Sequence, residues 1–125
     1  MTLRERLEEL VVTRGVRSVA IASLDGFVVE TVGRDGADAD EASGLIAGLI
    51  AGSLASSRAL AELFGDGELR QATIEYERGP VLLAPLAAPA DNHVAVMVLD
   101  DIADLGRARL ALRRTAADLA EATAA

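Results

Sequence analysis

The sequence predicts an α+β domain in the order α-β-β-α-β-β-β-α, with an about five-stranded, mainly antiparallel sheet carrying helices on both faces. Three observations predict it. Apolar residues recur at helical spacing near the start, middle and end of the chain. The stretches between them are short, β-branched or alternating. The links between consecutive strands are too short for a parallel crossover, which takes about a dozen residues or more. At 125 residues and 13.0 kDa the chain fits one domain, residues 1–125.

Thr2 to Val12 reads as the first helix. Leu3, Leu7, Leu10 and Val11 share one face, and Thr2 with Glu5 forms a capping box. Gly15 can end it. Val16 to Ser23 and Phe27 to Val32 read as two strands joined by the tight turn Asp25-Gly26. A loop with Asp35-Gly36 follows. Asp38 and Glu41 make a second capping box, opening a helix that runs to about Leu63. Phe64-Gly65-Asp66-Gly67 stops it. Glu68 to Glu77 alternates, with Arg70, Ala72, Ile74 and Tyr76 on one side and Gln71, Thr73, Glu75 and Glu77 on the wetter other. Pro80 to Leu86 and Asn92 to Leu99 complete the sheet; the latter is apolar on both faces and reads as central. Asp100, Asp101 or both cap a last helix from about Ile102 to Glu121, with Leu105, Leu112 and Leu119 on its buried stripe.

The middle helix is the most informative segment. Residues 42–57 carry no charge. Leu45, Ile46, Leu49, Ile50 and Leu54, joined by Leu60, form a broad side expected to cover the sheet. The opposite side carries Gly44, Ala47, Gly48, Ala51, Gly52 and Ala55, where a surface helix would present charges. Three glycines inside a helix cost about 3 kcal/mol relative to alanine. Three readings compete. A membrane span needs about 20 apolar residues, and this run is shorter and holds four serines. Burial within one chain needs a spare layer, and only two other helices exist. Self-association across a two-fold axis is the commonest closed assembly and is the reading favoured here. The candidate dimer interface is therefore Gly44, Ala47, Gly48, Ala51, Gly52 and Ala55, with Thr73 and Glu75 added from a strand that reads as an edge. An edge can pair with its copy or face solvent guarded by its acids, and the sequence leaves both open.

Composition narrows the function. There is no Cys, which excludes disulfides and thiol chemistry, and no Lys, which excludes Schiff-base catalysis and a P-loop. The net charge of −8 disfavours nucleic acid and anionic membranes. His93, the lone histidine, opens an apolar strand and reads as structural rather than catalytic. The acids sit in turns (Asp35, Asp38, Asp40) and at helix starts (Asp100, Asp101, Asp104), where turn and dipole chemistry explain them. No enzyme, cofactor or metal is expected. The chain is expected to be cytoplasmic, with no signal-peptide core behind Met1. Arg107, Arg109, Arg113 and Arg114 on the last helix are either solvated charge or a contact for an acidic partner.

These residues also carry a resemblance. Gly15-Val16 to Ile21, then Leu24-Asp25-Gly26-Phe27-Val28-Val29, resembles the opening of the Roadblock family, which includes dynein light-chain roadblock proteins and bacterial MglB proteins. Glu41 to Leu63 resembles its central helix, Gly79 to Leu86 and Val94 to Leu99 two of its strands, and Ala103 to Arg109 its last helix start. The resemblance spans about Leu3 to Leu119. It implies a Roadblock/profilin-like fold and a dimer in which central helices pair and the following strands join one continuous sheet. It further implies a homodimeric regulator or accessory subunit of a small Ras-like GTPase, binding no nucleotide itself and contributing no catalytic residue. The alternative is an architectural dimer that scaffolds a larger complex without affecting GTP turnover. A small-ligand sensor is a third possibility, disfavoured by the small, closely patterned side chains.

Overall fold

The computed structural model describes residues 1–34, 41–65 and 67–125; within it, the side chains of residues 41–47 and 51 lie outside the description. The Asp35-Gly36 turn and Asp38 of the second capping box fall outside the described residues.

The elements appear in the expected order. They are α1 (Leu3–Val11), β1 (Val16–Ser23), β2 (Val28–Gly33), α2 (Glu41–Phe64), β3 (Ala72–Tyr76), β4 (Gly79–Pro85), β5 (His93–Leu99), a 3-10 turn (Ile102–Asp104) and α3 (Leu105–Ala124). The strands form one sheet in the order β2-β1-β5-β4-β3. Every pairing is antiparallel. The doubly apolar strand β5 is central, with Met97 opposite Val19 on one side and Leu82 on the other. β2 and β3 are the edges.

Alternation along the strands divides the core into two layers. Val19, Ile21, Leu82, Met97 and Leu99 point to the side covered by α1 and α3, where they meet Leu7, Leu10, Leu112 and Leu119. Ala20, Ala22, Leu83, Val94 and Val96 point to the other side, where Ile50 and Leu54 of α2 close over them. The alanines of β1 fall beneath α2. Small residues on the sheet let the helix lie close.

Local chemistry fixes the ends. The Thr2 hydroxyl accepts from the Glu5 N–H at 3.2 Å, and the Glu5 carboxylate accepts from the Thr2 N–H at 3.1 Å. Gly26 has φ 94° in the β1–β2 turn, a left-handed conformation suited to glycine. Gly15 has φ 89°, and an added Cβ would strike the Asp104 carboxyl, so the α1–β1 connection can pack against the start of α3.

Several boundaries differ from the sequence reading by one to four residues, two of them at the start of β3 and of the last helix. Pairing in β3 begins at Ala72, opposite Leu83, rather than at Glu68. The last helix begins as a 3-10 turn. The Asp101 carboxylate accepts from the Ala103 N–H at 2.9 Å and caps that turn, and the α-helix starts only at Leu105.

Candidate functional site

The candidate site is α2 together with the sheet edge β3. α2 lies on the sheet with a narrow stripe. Ile50 and Leu54 are buried, and Ser57, Arg58 and Ala61 are half-buried one to two turns on. The hydrophobic side is not as broad as the sequence suggested. Leu49 is 75% exposed and Leu60 53%, so neither covers the sheet. The reason is rotational. Leu49 precedes Ile50 by 100° on the helix, and the inward arc is already filled by Ile50, Leu54 and their neighbours one turn apart.

The outward face is therefore apolar. Leu49, Ser53, Ser56, Leu60 and Leu63 recur at alternating four- and three-residue steps, with Gly52 beside them and Phe64 at the end. Leu63 is 84% exposed and Phe64 69%. The Ser53 hydroxyl donates to the Leu49 carbonyl at 3.4 Å and the Ser57 hydroxyl to the Ser53 carbonyl at 3.1 Å. Both hydroxyls are thus satisfied within the helix, which lowers the cost of covering this face.

The expected interface residues fall into distinct settings. Gly52 has nothing within 4 Å of a Cβ built on it, and Ala55 is exposed. Gly48 is different: a Cβ there would sit 3.1 Å from the Gly26 carbonyl oxygen of the same chain. Its bareness serves the packing of α2 on the β1–β2 turn. Gly44, Ala47 and Ala51 belong to α2, but contacts at these positions lie outside the described residues. Thr73 and Glu75 are on β3, the sheet edge. Ala72 and Ile74 pack toward α2, so Thr73 and Glu75 face the α3 side by alternation. Arg109 donates to the Thr73 hydroxyl at 3.3 Å. Gly52 and the Ala55 side chain are thus not gathered with the side chains of Thr73 and Glu75. What β3 offers is its unpaired backbone edge, at the side of the sheet away from β2.

Leu49, Leu60, Leu63 and Phe64 were missed as surface residues. Their second stripe at helical spacing is the available signal; hydrophobicity alone places Leu49 and Leu60 inward, while Leu63 and Phe64 read only as the helix end and its stop.

Other candidates contribute less. His93 opens β5, and its Nδ1 is buried without a hydrogen-bond partner among the described residues. No group of three or more His, Cys, Asp or Glu side chains able to hold a metal occurs among the described residues. No helix among them is long and apolar enough to cross a membrane. A hollow of about 500 Å³ beside the end of α1 is lined by Glu8, Val11, Val12, Arg14, Val16 and Arg34 and is open to solvent. Arg34 there is held by Asp100.

Known proteins share this geometry. Among solved structures, the chain is similar to the gliding protein MglB from Thermus thermophilus, with 26% identity, a TM-score of 0.83, and coverage of 97% of this chain and 87% of that one. Myxococcus xanthus MglB shares the fold, with 19% identity, a TM-score of 0.81 and coverage of 95% and 92%. A Roadblock/LC7 domain from Streptomyces avermitilis does so with 21% identity, a TM-score of 0.72 and coverage of 95% and 98%. The chain matches no curated relative. Residues 2–98 match the Roadblock/LC7 domain model, nearly the whole sheet and all of α2; the chain belongs to the Roadblock/LC7 family.

Proposed function

We propose that the chain is a homodimeric regulator that binds a small Ras-like GTPase and modulates its nucleotide state. Dimerisation is carried by the outward face of α2. Leu49, Leu60, Leu63 and Phe64 form an exposed apolar stripe on one helix, with Gly52 bare beside it. Such a contiguous patch marks an association surface. A second copy fits it because a two-fold axis pairs a self-complementary stripe with itself. The bare Gly52 lets two backbones approach, and the unpaired β3 edge can extend the sheet to its partner.

The GTPase reading rests on the likeness to MglB together with the Roadblock resemblance. Regulation requires unequal affinity for the two nucleotide states, because a ligand with equal affinity shifts nothing. The test pairs the purified chain with a Ras-like GTPase encoded beside it, loaded with GDP or with a non-hydrolysable GTP analogue. Tighter binding to one state, with altered GTP turnover, supports the proposal. Equal binding with unchanged turnover assigns the chain to the scaffolding alternative, and no binding in either state overturns the GTPase reading. Sedimentation tests the dimer independently: a 13.0 kDa particle at micromolar concentration overturns it.

A further inference from the structure

α3 gathers four arginines on one outward arc. Arg107, Arg109, Arg113 and Arg114 lie in its first ten residues, and no acidic residue occurs from Leu105 to Ala117. The first turn of a helix favours negative charge, which sets Arg107 against the dipole, and Arg109 and Arg113 repel as like charges at i,i+4. All four are exposed. Arg107 is partly offset by Asp104 at 3.4 Å, and among the described residues Arg109 reaches only the neutral Thr73 hydroxyl. Arg113 and Arg114 meet no carboxylate among the described residues. Asp118, one turn beyond Arg114, is turned to Arg6 at 3.6 Å.

The arginines surround an apolar side chain. Leu110, 44% exposed, sits at the centre of the outward arc of α3. By helical spacing Arg109 and Arg113 flank it on one side and Arg107 and Arg114 on the other. The buried arc carries Ala108, Leu112 and Leu119. This face lies on the opposite side of the sheet from α2.

We propose that the outward face of α3 is a docking site for a short acidic protein segment, with an apolar side chain seated on Leu110 and carboxylates paired with Arg107, Arg109, Arg113 and Arg114. Charge complementarity selects the occupant. Outside α3's arginines the chain holds eight Arg against twenty Asp and Glu, so any large polyanion that reaches α3 is repelled by the remaining surface. A short segment meets only the positive face. Ten helical residues span about 15 Å, which matches about five extended residues. Guanidinium groups pair with carboxylates in bidentate geometry, which supplies specificity.

The test uses a labelled acidic peptide of about five residues, Glu-Asp-Leu-Asp-Glu, and the full chain. Saturable binding that weakens with added salt is expected. Arg114→Glu should weaken it at least about tenfold, a loss of about 1.4 kcal/mol. Arg78→Glu makes the same charge change on the exposed β3–β4 turn and should alter it less than about twofold, since it touches no part of the face. Circular dichroism confirms that both variants fold. Absence of peptide binding overturns the proposal, as do equal losses in both variants, which mean only net charge matters. Tighter binding of duplex DNA or of anionic lipid vesicles than of the peptide, lost in Arg114→Glu, also overturns it in favour of a phosphate-bearing partner.

Discussion

A Cβ added to Gly48 would come within 3.1 Å of the Gly26 carbonyl oxygen, so α2 and the β1–β2 turn meet backbone to backbone. Contact this tight forces the turn to give way. Both glycines are used: Gly26 supplies the left-handed turn at φ 94°, and Gly48 supplies the room.

This separates two substitutions that look alike in the sequence. Gly48→Leu gains helix propensity too, but overpacking against the Gly26 turn outweighs it, for a net loss of up to about 2 kcal/mol. Gly52→Leu meets open space and gains about 0.8–1 kcal/mol of helix propensity. Its protomer should fold normally, while a dimer paired through α2 should be lost. Chemical denaturation reads the first effect and sedimentation the second. A Gly52→Leu chain that stays dimeric would rule out close helix pairing at that position.

Asp100 ties together the ends of three strands. Its carboxylate pairs with Arg34 after β2 and with Arg17 of β1 at 3.5 Å, and its N–H donates to the Gly15 carbonyl at 2.9 Å. These ion pairs are solvent-exposed, so Asp100→Asn is expected to cost only about 0.5–1 kcal/mol. The loss should shrink at high salt, where exposed pairs are screened. Urea titrations at low and high ionic strength check both. A loss independent of salt would place the effect in the backbone turn instead.

The capping box gives α1 a pH dependence. The Thr2 N–H, and after it the Thr2 hydroxyl, hold the Glu5 carboxyl below the usual carboxylate range. A group more acidic in the folded chain than in the unfolded one stabilises fully above its unfolded value. That contribution is lost as pH falls through its folded value. Acidification should therefore fray the first turn of α1 while the sheet stays intact. Carboxyl chemical shifts of Glu5 and amide exchange at residues 4–6 follow this. Thr2→Ala removes the hydroxyl but keeps the N–H, so Glu5 should move only part of the way back. A return to the ordinary range would mean that the hydroxyl dominates.

The parts legible in the sequence were those marked by a chemical contrast. Thr2 with Glu5, Asp25-Gly26, and the doubly apolar run ending at Leu99 each have one physical use, and each lies as expected. Leu112 and Leu119 are buried with arginines opposite them, so their helix had one possible orientation. α2 lacks such a mark. Without charge in residues 42–57, nothing in the pattern distinguishes Leu49 from Ile50, or Gly48 from Gly52. Tertiary contact with Gly26 and with the alanines of β1 sets the rotation, and that information is not local. Asp100 and Asp101 were likewise interchangeable as caps. Only the fold brings Arg17 and Arg34 to the first, leaving the second to cap the turn.

The rotation of α2 leads to a prediction about Leu60 and Leu63. Both point away from the sheet, so neither contributes to the core of its own chain. Leu60→Glu and Leu63→Glu should therefore leave protomer stability within about 0.5 kcal/mol, the range of ordinary surface changes. In a dimer paired through this face, each carboxylate would be buried twice across the axis, near its own copy and without a cation. Removing one partner of a buried charge, or burying it unpaired, costs several kcal/mol. The double variant is thus expected to sediment as a 13.0 kDa particle with an unchanged circular dichroism spectrum. Leu54→Ala provides the opposite control. Leu54 is buried against the sheet, so its truncation should cost about 2–5 kcal/mol while leaving the pairing face as it is. If Leu60→Glu and Leu63→Glu instead unfold the chain without changing its assembly, this face is not where two copies meet.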